Sequence, residues 1–503
     1  MAGLKECGTV ISGFDSPSTR KFQFVVGPCG AVRRGQFVQI ETQDGRLIAR
    51  VAEIFKTNKY FTRPDSVREY QSSGRPMDEI FPVSEWECLV AEASALGVMD
   101  GQKPRESSMP PSPGMKVTEP DAEVLSSFFG FDPKGIRIGN VRHHSNEVRL
   151  NMTKLLQKHM AILAISGAGK SYLTSVLIEE LMSRKPEDGQ VAIVLLDTHG
   201  EYTSFADEPA FSSNIRVVPS SDVRIDLKAL PYYHLSRYMK SPSEAQERAL
   251  MKAMEQLYEE NKNFGPKDLA DFIERKDDIP LKTKEVLLSC IYELNGLRLF
   301  GLHDFPLPRE MAVQGGMCVI DLSEEINIRK KRIIADHVAR SLFEARRAGT
   351  IPPFLLVVEE AHQFAPQDEK ADSALSKAII NTIAREGRKF HASLCLISQR
   401  PVQLSTTALS QCNTQIIMRV TNPYDLKHIG ESSEGITSDV QGQISSLHVG
   451  TGLIVGEAVS FPLFVDVRKR NSPGCRRGMP LEKAAIEYHK NSARQREDSG
   501  AFM

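Results

Sequence analysis

Continuous apolar runs separated by helix-like segments dominate the chain from about residue 135 onward. Apolar runs that do not alternate with polar residues are typical of strands buried on both faces of a parallel sheet. Their alternation with helices therefore predicts an α/β domain built on a mostly parallel sheet. The runs are MAILAI (160–165), VAIVLL (191–196), MCVIDL (317–322), FLLVVE (354–359), SLCLIS (393–398) and TQIIMRV (414–420).

The first hundred residues follow a different pattern. Short β-prone runs alternate with turn residues, and Asp44-Gly45 lies between two such runs. Asp-Gly in this setting is a strong hairpin signal, so a small β-barrel or sandwich is expected. Proline, serine and charged residues then replace the hydrophobic pattern over residues 101–120, which indicates a linker or a long exposed loop.

A second interruption lies between about residues 226 and 315, where strand-like runs give way to polar helical sequence. Ser241 and Ser243 are candidate N-caps of one helix, and Leu250, Met254 and Leu257 share one stripe of it. We therefore expect a helical subdomain inserted into the α/β core. The predicted domains are a β-barrel (1–105), a linker (106–134), the core (135–225 and 316–470), the insertion (226–315) and a C-terminal tail or brace helix (471–503).

Composition narrows the class of protein. The 503 residues are 41% hydrophobic and 25% charged, which is typical of a soluble globular chain too long for one core. A net charge of -1 excludes a basic field over the whole protein, so any nucleic acid must bind to a local basic patch. The eight cysteines include no CxxC pair, so we expect neither disulfides nor a zinc framework. No signal peptide or run of about 18 to 20 apolar residues is present, which predicts a cytoplasmic protein without a membrane partner.

The first apolar run leads directly into a glycine-rich loop and a Lys-Ser pair. Gly169, Lys170 and Ser171 fit the phosphate-binding pattern GxxxxGK[ST], with Ala164 in place of the first glycine. In such loops backbone amides hold phosphates, the lysine reaches the β and γ phosphates, and the hydroxyl binds Mg²⁺. A glycine turn before an ordinary helix is the alternative. The predicted ATP-binding residues are Ser166, Gly167, Ala168, Gly169, Lys170, Ser171 and Tyr172.

Acidic residues follow two other apolar runs. Hydrolysis needs a carboxylate in the Mg²⁺ shell and one that orients water. In PFLLVVEEAHQFAP we assign Glu359 to the metal shell and Glu360 to the attacking water, against the alternative of a strand end that simply reaches solvent. In VLLDTHGEY, Asp197 is expected to contact the Mg²⁺ site or its waters, and His199 to order the loop rather than to act chemically.

The segment TIAREGRKFHASLCLISQRP supplies candidate phosphate sensors. Arg385 and Arg388 lie one helical turn apart before a strand, and Gln399 comes at the end of that strand. Such arginines suit a finger that completes a neighbouring subunit's site, because guanidinium stabilises charge on the γ phosphate. Gln399 is placed to sense that phosphate within its own subunit. A solvated helix face is the alternative for the arginine pair.

Together, AISGAGKS, DTHGEY, VVEEAHQFAP and AREGRKFHASLCLISQRP resemble the HerA family of the HerA/FtsK superfamily. The resemblance implies a RecA-like P-loop ATPase core, a HAS-barrel-like N-terminal domain and a helical bundle. It also implies a homo-hexameric ring that moves double-stranded DNA, with a NurA-type nuclease as partner in DNA end resection.

The resemblance also implies roles for single residues. Lys170 and Ser171 would bind phosphate and Mg²⁺, and Glu359 with Glu360 would form the Walker B and catalytic pair. Arg385 is the first choice for the trans finger and Arg388 the second. A further basic contact from the same subunit is expected before the Walker A strand, where Lys158 or Arg149 are the available residues.

Two basic clusters are candidate DNA contacts: the run Arg329–Arg332 and the segment VRKRNSPGCRR (467–477). The first lies beside apolar residues that predict a buried helix face, so the alternative is that its side chains coat the exposed face of that helix. Two other functions also stay open. One is a related ring motor that acts on proteins, and the other is a nucleotide-gated scaffold with little turnover.

Overall fold

The chain forms two compact units in the computed structural model. The barrel unit comprises Met1–Asn151 with Thr451–Arg468, and the core unit comprises Met152–Gly450 with Lys469–Met503. The structure describes residues 5–13, 16–27, 32–58, 61, 64–72, 86–101, 103–240, 242–260, 263–367, 375–433, 435–474 and 481–500.

Strands and helices follow one another along most of these residues, and each of the six apolar runs contains a strand, as predicted. The strands are β1 (Glu6–Ile11), β2 (Lys21–Val26), β3 (Phe37–Thr42), β4 (Gly45–Asn58), β5 (Glu87–Asp100), β6 (Lys103–Arg105), β7 (Lys116–Thr118), β8 (Ile136–Val141), β9 (Glu147–Leu150), β10 (Met160–Leu163), β11 (Ala192–Asp197), β12 (Ile215–Pro219), β13 (Ile225–Asp226), β14 (Phe300–Gly301), β15 (Met317–Asp321), β16 (Phe354–Val358), β17 (Ala392–Ser398), β18 (Thr414–Ile417), β19 (Thr451–Gly456) and β20 (Leu463–Val467). The helices are α1 (Pro64–Ser72), α2 (Ala122–Phe129), α3 (Met152–Leu156), α4 (Lys170–Met182), α5 (Tyr232–Tyr238), α6 (Glu244–Glu259), α7 (Pro266–Glu274), α8 (Leu281–Gly296), α9 (Pro308–Met311), α10 (Ile328–Arg347), α11 (Lys377–Phe390), α12 (Thr406–Ser410), α13 (Pro423–Ser432), α14 (Ser438–Ser445) and α15 (Leu481–Gly500). Among the described residues, none of these helices is long and apolar enough to span a bilayer.

The barrel unit contains the β-barrel that the N-terminal pattern predicts. Its strands follow the order β2-β1-β7-β3-β4-β5, and β2 pairs with β5 to close the ring, while β6 pairs with β5 outside it. The predicted hairpin joins β3 to β4, with Thr42 opposite Gly45. Gly45 has a φ of 121°, and a Cβ there would lie 2.5 Å from the Met99 carbonyl oxygen, so only glycine fits this position. Alternate side chains of the strands, such as Phe22 and Phe24, fill the interior.

The interval 106–134 is not a linker, because it contains both β7 and α2. Val117 of β7 is buried in the barrel core, where its strand lies between β1 and β3. The α2 residue Phe128 is also fully buried, and its ring stacks on Phe461 with a centroid separation of 4.6 Å. Only three residues of β7 and eight of α2 contribute regular structure, which is too short for a hydrophobic period to stand out between prolines and serines.

The limits of the core also differ from the predicted ones. Strands β8, β9, β19 and β20 belong to the barrel unit and pair with one another in antiparallel fashion. The predicted core limits of 135 and 470 therefore include two segments, 135–151 and 451–468, that the structure assigns to the other unit. Both segments contain strand-like runs, so sequence pattern alone does not separate them from the parallel sheet.

The core unit contains the predicted parallel sheet. Its strands lie in the order β12-β15-β11-β16-β17-β10-β18, and every neighbouring pair in this order is parallel. All residues of β10, β11, β16 and β17 are buried, as expected for strands covered on both faces. Parallel strands bring their carboxyl ends to one edge, so the loops after β10, β11, β16 and β17 meet there.

The helical insertion follows β12 and comprises α5 to α9. The short strands β13 and β14 pair in parallel on either side of α5 to α8. Ser243 caps α6 through a reciprocal capping box with Gln246, and the predicted stripe of Leu250, Met254 and Leu257 is buried. The other candidate cap, Ser241, lies outside the described residues.

Candidate active site

The glycine-rich loop joins β10 to α4 in the conformation that a phosphate-binding loop requires. Gly167 and Gly169 have φ angles of 76° and 107°, which residues with a Cβ rarely adopt. A Cβ at Gly169 would also lie 3.1 Å from Met418 Cε. Ala164, in place of the usual first glycine, is fully buried, and its amide donates to the Ser398 carbonyl at 3.2 Å. The alanine methyl group is therefore accommodated in the core beneath the loop.

A cavity of about 540 Å³ opens at the carboxyl edge of the sheet. It brings together most of the residues predicted from the sequence, while Ala168 and Asp197 are buried and do not line it. The lining residues are Ser166, Gly167, Gly169, Lys170, Ser171, Tyr172, His199, Glu201, Glu359, Glu360 and Gln399.

Glu360 and Lys170 form a buried ion pair within this cavity. Lys170 Nζ lies 2.8 Å from Glu360 Oε1, and both side chains are less than a tenth exposed. Glu360 has φ 47° and ψ 48°, a left-handed conformation that costs a glutamate on the order of 1 to 3 kcal/mol. Burial alone would raise the pKa of Glu360, but its contacts with His199, Lys170 and His362 hold that pKa at about 2. The carboxylate is therefore ionised and neutralises the lysine of the phosphate-binding loop.

Two histidines surround the same carboxylate. His199 Nε2 lies 3.8 Å from Glu360 Oε1, and this contact raises the pKa of His199. His362 Nδ1 lies 3.4 Å from Glu360 Oε2 and 3.2 Å from Ser398 Oγ, while burial lowers the pKa of His362. His199 thus faces the cavity, although the sequence suggested only a loop-ordering role. No role is predicted from the sequence for His362, the histidine of the EEAH motif. Its position two residues after Glu360 was the signal that could have identified it.

Glu359 points to the neighbouring strand β11. Its Oε2 accepts hydrogen bonds from the amide and the hydroxyl of Thr198, each at 2.9 Å. Burial, followed by the negative charges of Asp197 and Glu201, raises the pKa of Glu359 to about 9. Acidic groups this close favour a bound cation, because a cation would stabilise their charged forms.

Asp197 orders the loop after β11. Its Oδ1 accepts hydrogen bonds from the amides of His199, Gly200 and Glu201 at 3.2, 2.7 and 3.1 Å. Its Oδ2 accepts one from the Tyr202 amide at 2.9 Å. Four backbone donors therefore converge on one fully buried carboxylate. In this loop Glu201, rather than Asp197, lines the cavity, and its Oε2 has no hydrogen-bond partner among the described residues.

The donor set suits a magnesium ion held together with a nucleotide. Ser171, Glu201 and Glu359 offer oxygen atoms to the cavity, which is the chemistry that Mg²⁺ prefers. Within the described part of the chain, no three acidic, histidine or cysteine side chains are close enough to bind a metal ion by themselves. This agrees with the usual Mg²⁺ site, in which one or two protein groups act together with phosphates and water.

The arginines Arg385 and Arg388 lie outside the cavity. Both are exposed on α11, neither lines the cavity, and neither guanidinium forms an ion pair or hydrogen bond with any residue that the structure describes. Gln399, which follows β17, does line the cavity. The structure therefore brings the predicted glutamine sensor, but neither arginine, into the site of the same subunit.

The two candidates for a basic contact before the Walker A strand are both absent from the cavity lining. Lys158 lies in the turn before β10, where its carbonyl accepts a hydrogen bond from the Asn413 amide at 3.1 Å. Arg149 pairs with Glu147 at 2.7 Å. Neither assignment gains support from these contacts.

Comparisons with known proteins agree with this arrangement. The family model for the central domain of helicase HerA matches residues 136–342. The probable helicase MJ1565 of Methanocaldococcus jannaschii is 30% identical over 387 residues, which cover 72% of each chain. The chain belongs to the HerA helicase family. Another relative, the DNA double-strand break repair helicase HerA of Pyrococcus furiosus, is 28% identical over 90% of each chain.

The fold of a HerA helicase also appears among solved structures. VirB4 of Thermoanaerobacter pseudethanolicus superposes with a TM-score of 0.52 at 16% identity, covering 67% of this chain and 97% of VirB4. The expected architecture, a RecA-like P-loop core with a β-barrel and an inserted helical bundle, is thus confirmed. Family membership and the P-loop site together make this HerA chain an ATPase of the helicase class.

Proposed function

We propose that this chain is an ATP- and Mg²⁺-dependent translocase of double-stranded DNA that works as a homo-hexameric ring. Relatives from Pyrococcus furiosus and Saccharolobus solfataricus are described as DNA double-strand break repair helicases, which supports a role in processing broken DNA ends. The family resemblance further supports a NurA-type nuclease as partner.

The observation that carries the proposal is that Arg385 and Arg388 are exposed and lie outside their own subunit's cavity. The cavity supplies a phosphate loop, three carboxylates and a glutamine sensor, but among the described residues Lys170 is the only lysine or arginine that lines it. Phosphoryl transfer is commonly accelerated by an arginine that a neighbouring chain inserts. A ring in which each α11 faces the next subunit's cavity would provide that arginine.

The ion pair between Glu360 and Lys170 suggests how the site is activated. A triphosphate competes with the Glu360 carboxylate for the lysine ammonium, since both are oxyanions. Once replaced, Glu360 is free to orient the attacking water and accept its proton. Ser171, Glu359 and Glu201 would hold the Mg²⁺ ion, which neutralises charge on the phosphates during transfer. The catalytic carboxylate would then become available only after the triphosphate has bound.

Three of the four side chains in the basic run Arg329–Arg332 form contacts within the core unit, which does not support a DNA contact by them. Arg329 is buried and its guanidinium lies 2.8 Å from Glu293 Oε1. Lys330 pairs with Glu325 at 2.9 Å, and Arg332 Nε donates to the Gln363 carbonyl at 2.8 Å. These side chains are used within the core unit, so the alternative of a structural role is favoured. The second cluster, VRKRNSPGCRR, lies partly outside the described residues.

The first experiment measures steady-state ATP hydrolysis with and without linear duplex DNA, with the Glu360→Gln variant as the blank. We expect strong stimulation by DNA, at a rate that rises with protein concentration as rings assemble. Hydrolysis that DNA leaves unchanged would contradict the proposed substrate and favour a motor on another polymer. Nucleotide binding without measurable hydrolysis would favour the scaffold.

A further inference from the structure

A short segment after β20 is fastened to the phosphate-loop helix. This C-terminal segment, Arg470–Ser472, donates three hydrogen bonds to Glu179 on α4. The donors are the Asn471 amide (2.8 Å), the Ser472 amide (2.7 Å) and the Ser472 hydroxyl (2.6 Å), and all reach Glu179 Oε1. Glu179 is only 1% exposed. Because a buried carboxylate is costly without donors, these bonds fix the C-terminal segment to α4.

The same segment holds the side chain of Tyr172. The Arg470 amide donates to the Tyr172 hydroxyl at 2.9 Å, and the Arg470 guanidinium carbon lies 5.3 Å from the centre of the Tyr172 ring. That separation is typical of a cation–π contact. No carboxylate among the described residues pairs with the Arg470 guanidinium, so the ring is its principal partner.

Tyr172 lines the cavity one residue beyond Ser171, in the first turn of α4. The loop amides, Lys170 and Ser171 are suited to phosphates and Mg²⁺, and Glu360 and Gln399 mark the place of the γ phosphate. The Tyr172 hydroxyl already accepts a hydrogen bond from the Arg470 amide, and the rest of this side chain is an aromatic ring. An aromatic surface suits the nucleoside part of a nucleotide, since bases stack on aromatic side chains.

We propose that the Tyr172 ring is the contact for the nucleoside part of the bound nucleotide and that Arg470 is a positioning residue that holds this ring. The inference rests on the proposed function only in that the cavity binds a nucleoside triphosphate. It gives the C-terminal segment a direct influence on nucleotide affinity.

The test compares two ligands by calorimetry on the full-length chain: ADP, which carries a nucleoside, and inorganic tripolyphosphate, which does not. We expect Tyr172→Leu and Arg470→Ala to weaken ADP binding by about tenfold, the magnitude of a lost stacking contact, and to leave tripolyphosphate binding unchanged. Arg470→Lys keeps a cation over the ring and should retain most of the affinity. Lys469→Ala, at an exposed neighbouring position, is the matched control.

Unchanged ADP affinity in Arg470→Ala and Tyr172→Leu would overturn the inference. Equal weakening of ADP and tripolyphosphate would also overturn it, because the segment would then only shape the phosphate loop. Melting temperatures of the nucleotide-free variants identify any general loss of stability, and Arg470→Lys keeps the comparison informative if Arg470→Ala does not fold. A wild-type chain that shows the expected ADP selectivity but no DNA stimulation would contradict the proposed function alone.

Discussion

The Glu360 carboxylate contacts the phosphate-loop lysine and two histidines. We expect Glu360→Gln to retain ATP binding, because Lys170 loses a competing anion, and to lower turnover by about a hundredfold or more, because an amide cannot accept a proton. Binding of ATP and the rate of phosphate release are the measurements. Glu431→Gln, at an exposed site on α13, is the control. Turnover near that of the wild type would show that Glu360 is not the catalytic base.

Asp197 ends β11 and Glu201 lies in the loop that follows, and the two carboxylates have different surroundings. Asp197→Asn should lower the free energy of unfolding by about 1 to 3 kcal/mol, because the amide NH₂ would face backbone donors that now bind a carboxylate. Glu201→Gln should leave stability nearly unchanged and raise the Mg²⁺ concentration needed for half-maximal hydrolysis. Thermal unfolding and Mg²⁺ titrations check both. Reversed effects would mean that Asp197, not Glu201, serves the metal.

Sequence reasoning located the site residues that are set by local pattern. Lys170, Glu359 and Gln399 each end or follow a buried strand, so the topology of a parallel sheet is enough to bring them together. The contact between Thr198 and Glu359 could not be predicted from the sequence, because it depends on β11 and β16 being neighbours in the sheet. The same holds for Arg470, which lies about 300 residues from Tyr172 in the chain.

At the scale of elements, α10 is a basic helix whose first turn is used for packing. Arg329 also donates to the Tyr238 carbonyl, so it joins α10 to the helical insertion. We expect Arg329→Ala to lower the melting temperature and to leave the salt dependence of DNA binding unchanged, because the guanidinium is not available to phosphates. Thermal unfolding and DNA affinity at several salt concentrations are the measurements. A shallower salt dependence in a stably folded variant would place Arg329 on DNA after all.

The elements that sequence pattern missed are short or interrupted. Both β7 and α2 contain too few residues to show a period, and they are recognisable only from the partners that bury them. In contrast, the long stripe of α6 and the runs of β11 and β16 were evident, because each repeats its pattern over a whole element.

At the scale of the whole molecule, the proposed ring makes each active site depend on two chains. We expect mixtures of Arg385→Ala and Lys170→Ala chains to hydrolyse more ATP than either variant alone, because some interfaces pair an intact cavity with an intact arginine. Hydrolysis across a series of mixing ratios is the measurement, with wild-type chains mixed with Lys170→Ala as the reference. Absence of any recovery, with ring assembly verified by light scattering, would contradict the assignment of Arg385 to the neighbouring site.

We expect the buried pair of Lys170 and Glu360 to affect which anions can bind at this site. Free inorganic phosphate is a small competitor that would have to displace a carboxylate already held at 2.8 Å. ATP arrives with several phosphate oxygens, a metal ion and a nucleoside, and so replaces that carboxylate with many contacts at once. As phosphate departs after hydrolysis, the same carboxylate can return to the lysine. The enzyme would thus resist inhibition by its own inorganic product, even where phosphate is abundant.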